Sequence, residues 1–216
     1  MIDPKTDALI FDMDGTLWDA IDTYATIWNM AFERHGLTQR ITRTSLLSHI
    51  GTPIDDIMRH FAPEEMVEPL LSTIATLVPT ELPRLGGRLY EGVQEGIARL
   101  AKEYRLFMLS NCDELELPIF VRYAGIEKYI TDTLAYGNTR LPKGDNMQLL
   151  AHKHNLQHPV YVGDTDGDCR ETHRAGYPFV WMSYGFGRCE NADAQFDTFT
   201  QMVEHFMQIA KERNNF

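Results

Sequence analysis

Residues 8–19 read ALIFDMDGTLWD. Four apolar residues, Ala8 to Phe11, run into two acids two positions apart, Asp12 and Asp14, followed by Gly15 and Thr16. An apolar run bounded by turn residues reads as a short buried strand. Two carboxylates at the end of such a strand repel each other, so something elsewhere in the chain must neutralise them. An Asp-Gly pair also marks tight hairpins, but the residues after Thr16 do not alternate. Leu17, Ile21, Tyr24, Ile27 or Trp28, and Ala31 or Phe32 recur at steps of three and four, the period of an amphipathic helix. The stretch therefore predicts a strand that leads into helical structure, not into a second strand.

Outward from this stretch, helical patterns continue to about Leu77, with breaks at Gly51-Thr52-Pro53 and Ala62-Pro63. The segment VPTELPRLGGRLYEG (78–92) carries two prolines and three glycines and reads as a linker or hinge. Beyond it helical and strand patterns alternate. Helices are expected at 93–104, 115–123, 143–154, after the strand 160–162 to about 175, and at 199–211, and strands at 106–109, 129–134, 160–162 and 179–182. Alternation of this kind implies a doubly wound parallel sheet covered on both faces, a Rossmann-like α/β core. The helical stretch interrupts the alternation directly after the first strand. Residues 1–17 and 86–216 are therefore expected to form the α/β core, and residues 18–85 an inserted all-helical cap.

Composition narrows the functional classes. The chain has 216 residues, 44% of them hydrophobic and 24% charged, within the range of a globular protein. No apolar run approaches the roughly 20 residues that span a bilayer, and the start MIDPKTD lacks the basic residues of a signal peptide. A cytoplasmic protein is expected. With 31 acidic and 20 basic residues the net charge is -11, which argues against nucleic acid or an anionic membrane as a partner. A small anionic substrate needs a local cation against that background. The three cysteines, Cys112, Cys169 and Cys189, form no CxxC pair and read as reduced thiols. The eight histidines make no HExxH pattern. Composition is silent on oligomeric state.

Ligands of open α/β sheets bind beyond the carboxyl ends of the strands, and the polar clusters of this chain fall there. Asp12 and Asp14 follow LIF, Ser110 and Asn111 follow LFML, and Asp164 and Asp168 in GDTDGD follow VYV. Lys143 opens the helix between the last two of these clusters. Some of these residues also have plain structural readings. Ser110 and Asn111 suit a helix cap equally well, and a lysine such as Lys143 is usually solvated, although at a helix N-terminus it opposes the macrodipole. A calcium loop of the EF-hand type fails on spacing. Counted from Asp164, the glycine and glutamate positions hold Cys169 and Ala175; counted from Asp12, they hold Leu17 and Thr23.

Taken together, DMDGT (12–16), SN (110–111), Lys143 in PKGDN and GDTDGD (163–168) resemble, in order and spacing, the haloacid dehalogenase-like hydrolase superfamily, in its phosphoglycolate phosphatase-like branch with an inserted helical cap. The resemblance covers nearly the whole chain. It implies a magnesium-dependent phosphatase that hydrolyses a small phosphorylated metabolite through an aspartyl-phosphate. Asp12 would be the nucleophile and Asp14 the general acid and base, with a pKa raised by its neighbouring carboxylate. Magnesium would be held by Asp12, the Asp14 backbone carbonyl and Asp164, with Asp168 in support. Ser110, Asn111 and Lys143 would bind the phosphoryl oxygens. In the cap, Trp18, Thr52, Arg40 and Arg43 are candidate substrate contacts, and Cys112 is expected near the site as a packing residue.

Other readings share these motifs. A halogen-displacing enzyme would lack Asp14, and a phosphonate-cleaving one would use a cap lysine, of which residues 18–77 contain none. A sugar phosphomutase or an inorganic pyrophosphatase shares the core motifs. A non-catalytic phosphate-binding regulator on the same fold would be expected to have lost one of them.

Overall fold

In the computed structural model, which describes residues 2–213, β1 (Ala8–Phe11) is buried along its whole length. Its side chains alternate between two apolar layers. Leu9 and Phe11 pack into one, Ala8 and Ile10 into the other, so each face of the strand must be covered. From the β1 end the chain passes through β2 (Trp18–Asp19), α1 (Ile21–Arg34), α2 (Arg43–Leu47), α3 (Ile54–Phe61), α4 (Glu64–Leu85) and β3 (Arg88–Leu89). It continues through α5 (Val93–Leu100), β4 (Arg105–Ser110), α6 (Glu116–Tyr123), a 3-10 turn (Glu127–Tyr129), β5 (Ile130–Ala135), α7 (Tyr136–Thr139) and α8 (Lys143–His154). The last elements are β6 (Pro159–Gly163), α9 (Asp166–Arg174), β7 (Phe179–Met182), β8 (Ala194–Phe196) and α10 (Phe199–Arg213).

Six strands form one sheet in the order β5-β4-β1-β6-β7-β8, and every neighbouring pair is parallel. The chain builds outward from β1 through β4 to β5, then returns to the other side of β1 with β6. That reversal makes the carboxyl end of β1 a topological switch point, where the flanking connections leave in opposite directions and open a crevice. Helices α5, α6 and α10 bury Ile97, Phe120 and Phe206 against the layer that contains Phe11. On the opposite face α8 and α9 bury Leu150 and Cys169 against Ile10 and Tyr161. Each fully buried large apolar side chain contributes roughly 1.5–3 kcal/mol.

Helices α1 to α4 lie between β2 and β3, which pair as a short antiparallel ribbon, Trp18 opposite Leu89 and Asp19 opposite Arg88. The segment read as a linker at 78–92 is different in the structure. Helix α4 runs unbroken to Leu85 with Pro69, Pro79 and Pro83 inside it. Pro79 and Pro83, four residues apart, share a solvent-facing side, while Ile74, Leu77, Val78 and Leu82 are buried on the side that packs on α1. The hydrogen bonds these prolines forgo are lost where water solvates the freed carbonyls, and packing of the apolar side outweighs the helix-breaking tendency. The true break is at Gly86, with φ +66°, where a Cβ would lie 2.4 Å from the Tyr123 hydroxyl. The β2–β3 ribbon, α7 and β8 had no counterpart among the expected elements. They are two to four residues long, too short to show a period. Among the described residues no helix is long and apolar enough to cross a membrane.

Candidate active site

Asp12 continues β1 past its last paired residue, its amide donating to the Val162 carbonyl at 2.9 Å. Its Oδ1 accepts from the Met13 amide at 2.8 Å and its Oδ2 from Lys143 Nζ at 2.9 Å. Lys143 is only 2% exposed although it opens α8, so it is not the solvated lysine its position suggested. It also donates to Asp168 Oδ1 at 2.5 Å. Burial lowers the Lys143 pKa, but the charges of Asp12 and Asp168 outweigh it and hold the amine firmly protonated. Asp168 Oδ2 in turn accepts from the Thr165 amide and hydroxyl and from the Asp164 amide, at 3.1, 2.7 and 3.3 Å. Thr165 accepts back from the Asp168 amide, a capping box that fixes the first turn of α9.

Asp164, at the end of β6, is completely buried. Its Oδ2 accepts from the Phe186 amide at 2.7 Å and its Oδ1 lies 3.5 Å from the Thr16 hydroxyl. The loop after β1 presses directly against it. Gly15 has φ +79°, and a Cβ there would sit 2.1 Å from Asp164 Oδ2, so glycine is the residue that permits both the turn and the approach. Asp14 points its Oδ2 at the Tyr24 hydroxyl of α1, 3.3 Å away, while its buried Oδ1 has no hydrogen-bond partner. Its pKa stands well above the usual carboxylate range, first through burial, then through the charges of Glu116 and Asp12. The expected raised pKa is present, but its leading cause is burial and not the neighbouring Asp12. Burial likewise raises Asp164, with Asp168 and Asp12 adding to it, and raises Asp12 against the opposing pull of Lys143.

Four carboxylates thus face one lysine. Single oxygens of Asp12, Asp164 and Asp168 lie within 4.8 Å of one another. An all-oxygen buried donor set with excess negative charge fits a hard divalent cation such as magnesium. The unpartnered Asp14 Oδ1 and the tight seating of Asp164 agree with a centre whose charge balance needs one more cation. Asp168 Oδ2 already accepts three hydrogen bonds and Asp168 does not line the cavity, whereas each oxygen of Asp12 and Asp164 accepts one and both residues line it.

One cavity joins these groups. Asp12, Asp14, Ser110, Asn111, Lys143 and Asp164 line it from the sheet side, and Thr52 from the helical side. Ser110 and Asn111 do not cap α6, which begins at Glu116 after Leu115. Instead Asn111 Nδ2 donates to the Gly51 carbonyl at 2.7 Å and ties the sheet to the loop before α3. Trp18 does not line the cavity. It is fully buried among Phe120, Tyr123 and Tyr24, because the β2–β3 ribbon turns its indole inward. Arg40 and Arg43 do not line it either. Arg40 pairs with Glu33, and Arg43 forks onto Asp19 while also reaching Asp22. Cys112 lines the cavity and is buried; burial and the charges of Glu116 and Asp14 raise its pKa, so it stays a thiol.

Several lining residues had not been singled out as site residues: Tyr24, Leu46, Ile50, Ile54, Ile57 and Glu116. Glu116 carried a readable signal, since it lies four residues before Phe120 on the apolar side of α6. A charged residue on a buried stripe is the exception that marks a site.

The family model for haloacid dehalogenase-like hydrolases matches residues 9–182. A phosphoglycolate phosphatase of Photobacterium profundum is 25% identical over 215 residues, covering 91% of this chain and 93% of its own. One from Rhodobacter capsulatus is 27% identical over 190 residues, covering 83% and 85%. The tyrosine-protein kinase PtkA of Mycobacterium tuberculosis is 25% identical over 212 residues, covering 95% of this chain and 70% of its own. Among solved structures, a haloacid dehalogenase-like hydrolase from Streptococcus pneumoniae superposes with a TM-score of 0.81 at 15% identity, covering 93% of this chain and 98% of its own. A structure described as a predicted phosphoglycolate phosphatase from Haemophilus somnus gives 0.80 at 22%, with the same coverage. A six-stranded parallel sheet with carboxylates at the switch point, and a family match across residues 9–182, lead to one conclusion: the chain belongs to the haloacid dehalogenase-like hydrolase family.

Proposed function

We propose that the protein is a magnesium-dependent phosphatase of small phosphomonoesters, working through an aspartyl-phosphate on Asp12. The observation that carries this reading is the convergence of Asp12, Asp14, Ser110, Lys143 and Asp164 on one cavity from the ends of β1, β4 and β6 and the start of α8. Phosphatase relatives of similar length support it.

A carboxylate oxygen of Asp12 attacks phosphorus, and the bond from phosphorus to the substrate alcohol breaks. Asp14 gives its proton to the departing oxygen, a role suited to a carboxyl that burial keeps protonated. The resulting Asp14 carboxylate then takes a proton from water as the water oxygen attacks the aspartyl-phosphate, releasing inorganic phosphate and restoring both acids. Ser110 and Lys143 bind the phosphoryl oxygens, Asn111 holds the loop before α3 over the cavity through the Gly51 carbonyl, and Asp168 orients the Lys143 amine. A magnesium ion, held by Asp12, Asp164 and the Asp14 carbonyl, would offset the negative charge of substrate and carboxylates. Residues 18–85 act as the cap over the cavity, Thr52 contributing to its rim.

The test is phosphate release from p-nitrophenyl phosphate with and without magnesium. Activity should vanish in EDTA, return with magnesium, and fall by roughly 10^4-fold or more in Asp12→Asn. Full activity in EDTA, or an unaffected Asp12→Asn enzyme, overturns the reading.

A further inference from the structure

Beside the cavity that holds Asp12 lies a second, larger one. The first offers about 60 Å³, the space of a few water molecules, and the second about 410 Å³. Gly51, Thr52, Asn111 and Lys143 line both, so the two meet at the loop before α3 and at the Lys143 side chain. A phosphoryl group seated between Asp12 and Lys143 leaves little room in the first cavity. A leaving group of any length has its space in the second, which Tyr136, Arg140 and Arg170 line without reaching the first.

Arg140 is the cation of this second cavity that no carboxylate holds. Lys143 is bonded to Asp12 and Asp168, Arg170 is paired with Asp166, and Glu171 is taken by Arg174 and the Gly144 amide. On the cap side Arg140 shares a further cavity with Asp55, Glu64 and Glu68. There Asp55 Oδ2 accepts from the Tyr136 hydroxyl at 3.2 Å, and Glu64 accepts from Arg59. Among the described residues none of these acids forms an ion pair with Arg140. Its position is nevertheless built. Arg140 closes α7 with φ +59°, a left-handed conformation that glycine or asparagine adopts at lower cost. The buried Asn146 of α8 fixes the turn on both sides, accepting from the Thr139 hydroxyl at 2.7 Å and donating to the Leu141 carbonyl at 3.2 Å. The guanidinium stands 5.4 Å from the Tyr136 ring centroid. An arginine at a backbone position that favours glycine points to a use for its side chain.

Resting on the phosphatase reading, we infer that the substrate is a phosphomonoester whose leaving group carries a second oxyanion, a carboxylate or a phosphate, bound by the Arg140 guanidinium in the second cavity. The phosphoryl group to be cleaved lies at Asp12 and Lys143, and the carbon skeleton passes the Asn111–Gly51 hydrogen bond. Beyond it the second anion meets a planar fork of N–H donors, offset against a chain of net charge -11. Arg140 and Lys143 flank one turn, three residues apart, so the core itself sets the distance between the two anion sites. Glycolate is too short for this arrangement. Its carboxylate stands one carbon from the ester oxygen, whereas Arg140 lines only the second cavity. The substrate is therefore longer than the one named for the curated relatives.

The experiment measures kcat/KM in the presence of magnesium for ω-phosphonooxy carboxylates of three, four and five carbons and for their neutral amides. The alkanediol bisphosphates of the same lengths, 2-phosphoglycolate and, as the general phosphatase substrate, p-nitrophenyl phosphate complete the set. At the best length the anionic ester should exceed its amide by about 30-fold, and 2-phosphoglycolate should fall below it by a similar factor. The better of carboxylate and bisphosphate identifies the second anion. In Arg140→Ala the ratio of anionic ester to amide should fall to about 3 or less, through a raised KM for the anionic ester. Arg140→Lys, which keeps the charge without the fork, should fall between the two. A ratio near one in the parent protein at every length overturns the inference and leaves the phosphatase standing. So does a ratio that Arg140→Ala leaves unchanged, because a residue that only shapes the loop affects both esters alike. Hydrolysis of 2-phosphoglycolate that matches the best longer ester overturns it as well. No turnover of any ester, p-nitrophenyl phosphate included, removes the phosphatase reading and this inference with it.

Discussion

The two sides of the cavity are stabilised in opposite ways. The sheet side is a buried electrostatic lattice in which Lys143 bridges Asp12 and Asp168, and Asp168 is held by three donors from its own helix start and the preceding residue. The helical side is apolar packing, with Trp28, Leu46, Ile50, Ile54 and Ile57 around one acid, Glu116, that comes from the sheet domain's own α6. A lattice of charges fixes atoms to within a fraction of an ångström but tolerates no loss of a partner, whereas an apolar surface tolerates change and selects by size and polarity. Chemistry needs the first property and substrate choice the second.

The largest expected effect tests the lattice. Lys143→Met leaves Asp12 and Asp168 buried without their cation, and should destabilise the protein by about 3–5 kcal/mol. Urea unfolding in the absence of added metal reads this as a lowered midpoint at constant slope. A loss below about 1 kcal/mol, the scale of an exposed ion pair, would erase the contrast between the two sides.

Glu116 sharpens the same comparison through pH. Burial, followed by the charge of Asp113, raises its pKa from 4.5 to about 7. The folded state binds this proton more tightly than the unfolded state, so the group's contribution is fully present below pH 4.5 and lost as pH rises through 7. Glu116→Gln should therefore be more stable than the parent by up to about 3 kcal/mol above pH 7, and no more stable at pH 4. Thermal melts at the two pH values decide it; a pH-independent difference would mean that packing, not ionisation, governs this position.

The smallest effect concerns the join between the two sides. Asn111→Ala removes the hydrogen bond to Gly51 and should cost about 1 kcal/mol, seen as a rise in KM of roughly 5-fold with little change in kcat. A comparable fall in kcat would place Asn111 on the reacting phosphoryl group and not mainly at the join.

Legibility in the sequence followed the same division. Asp12, Asp14, Ser110, Asn111, Lys143 and Asp164 each stand next to a strand or helix boundary that has a clear pattern, and all of them line the cavity. Trp18 was tied to the site only by its place where the chain leaves it, and Arg40 and Arg43 only by their suitability within the cap for an anionic leaving group, and the structure turns all three elsewhere. The α4 prolines misled because breaker residues are weighed locally, whereas the buried stripe of Ile74, Leu77 and Leu82 gains its energy from contact with α1. Glu116 was legible in principle from its position on the buried stripe of α6, but its meaning depends on Tyr24, which is 92 residues earlier in the chain and meets it only in the folded state.

By itself, then, the sequence determined the parallel α/β core, the helical stretch after β1 and the charged groups at the strand ends. These depend on periodicity and on turn chemistry, which act over a few residues. Only the tertiary structure decided how those groups are charged, which helical residues enclose the cavity, and that the Tyr24 hydroxyl of α1 meets Asp14. Desolvation and donor supply are properties of a filled volume, and a volume is closed by contacts between residues far apart in the chain.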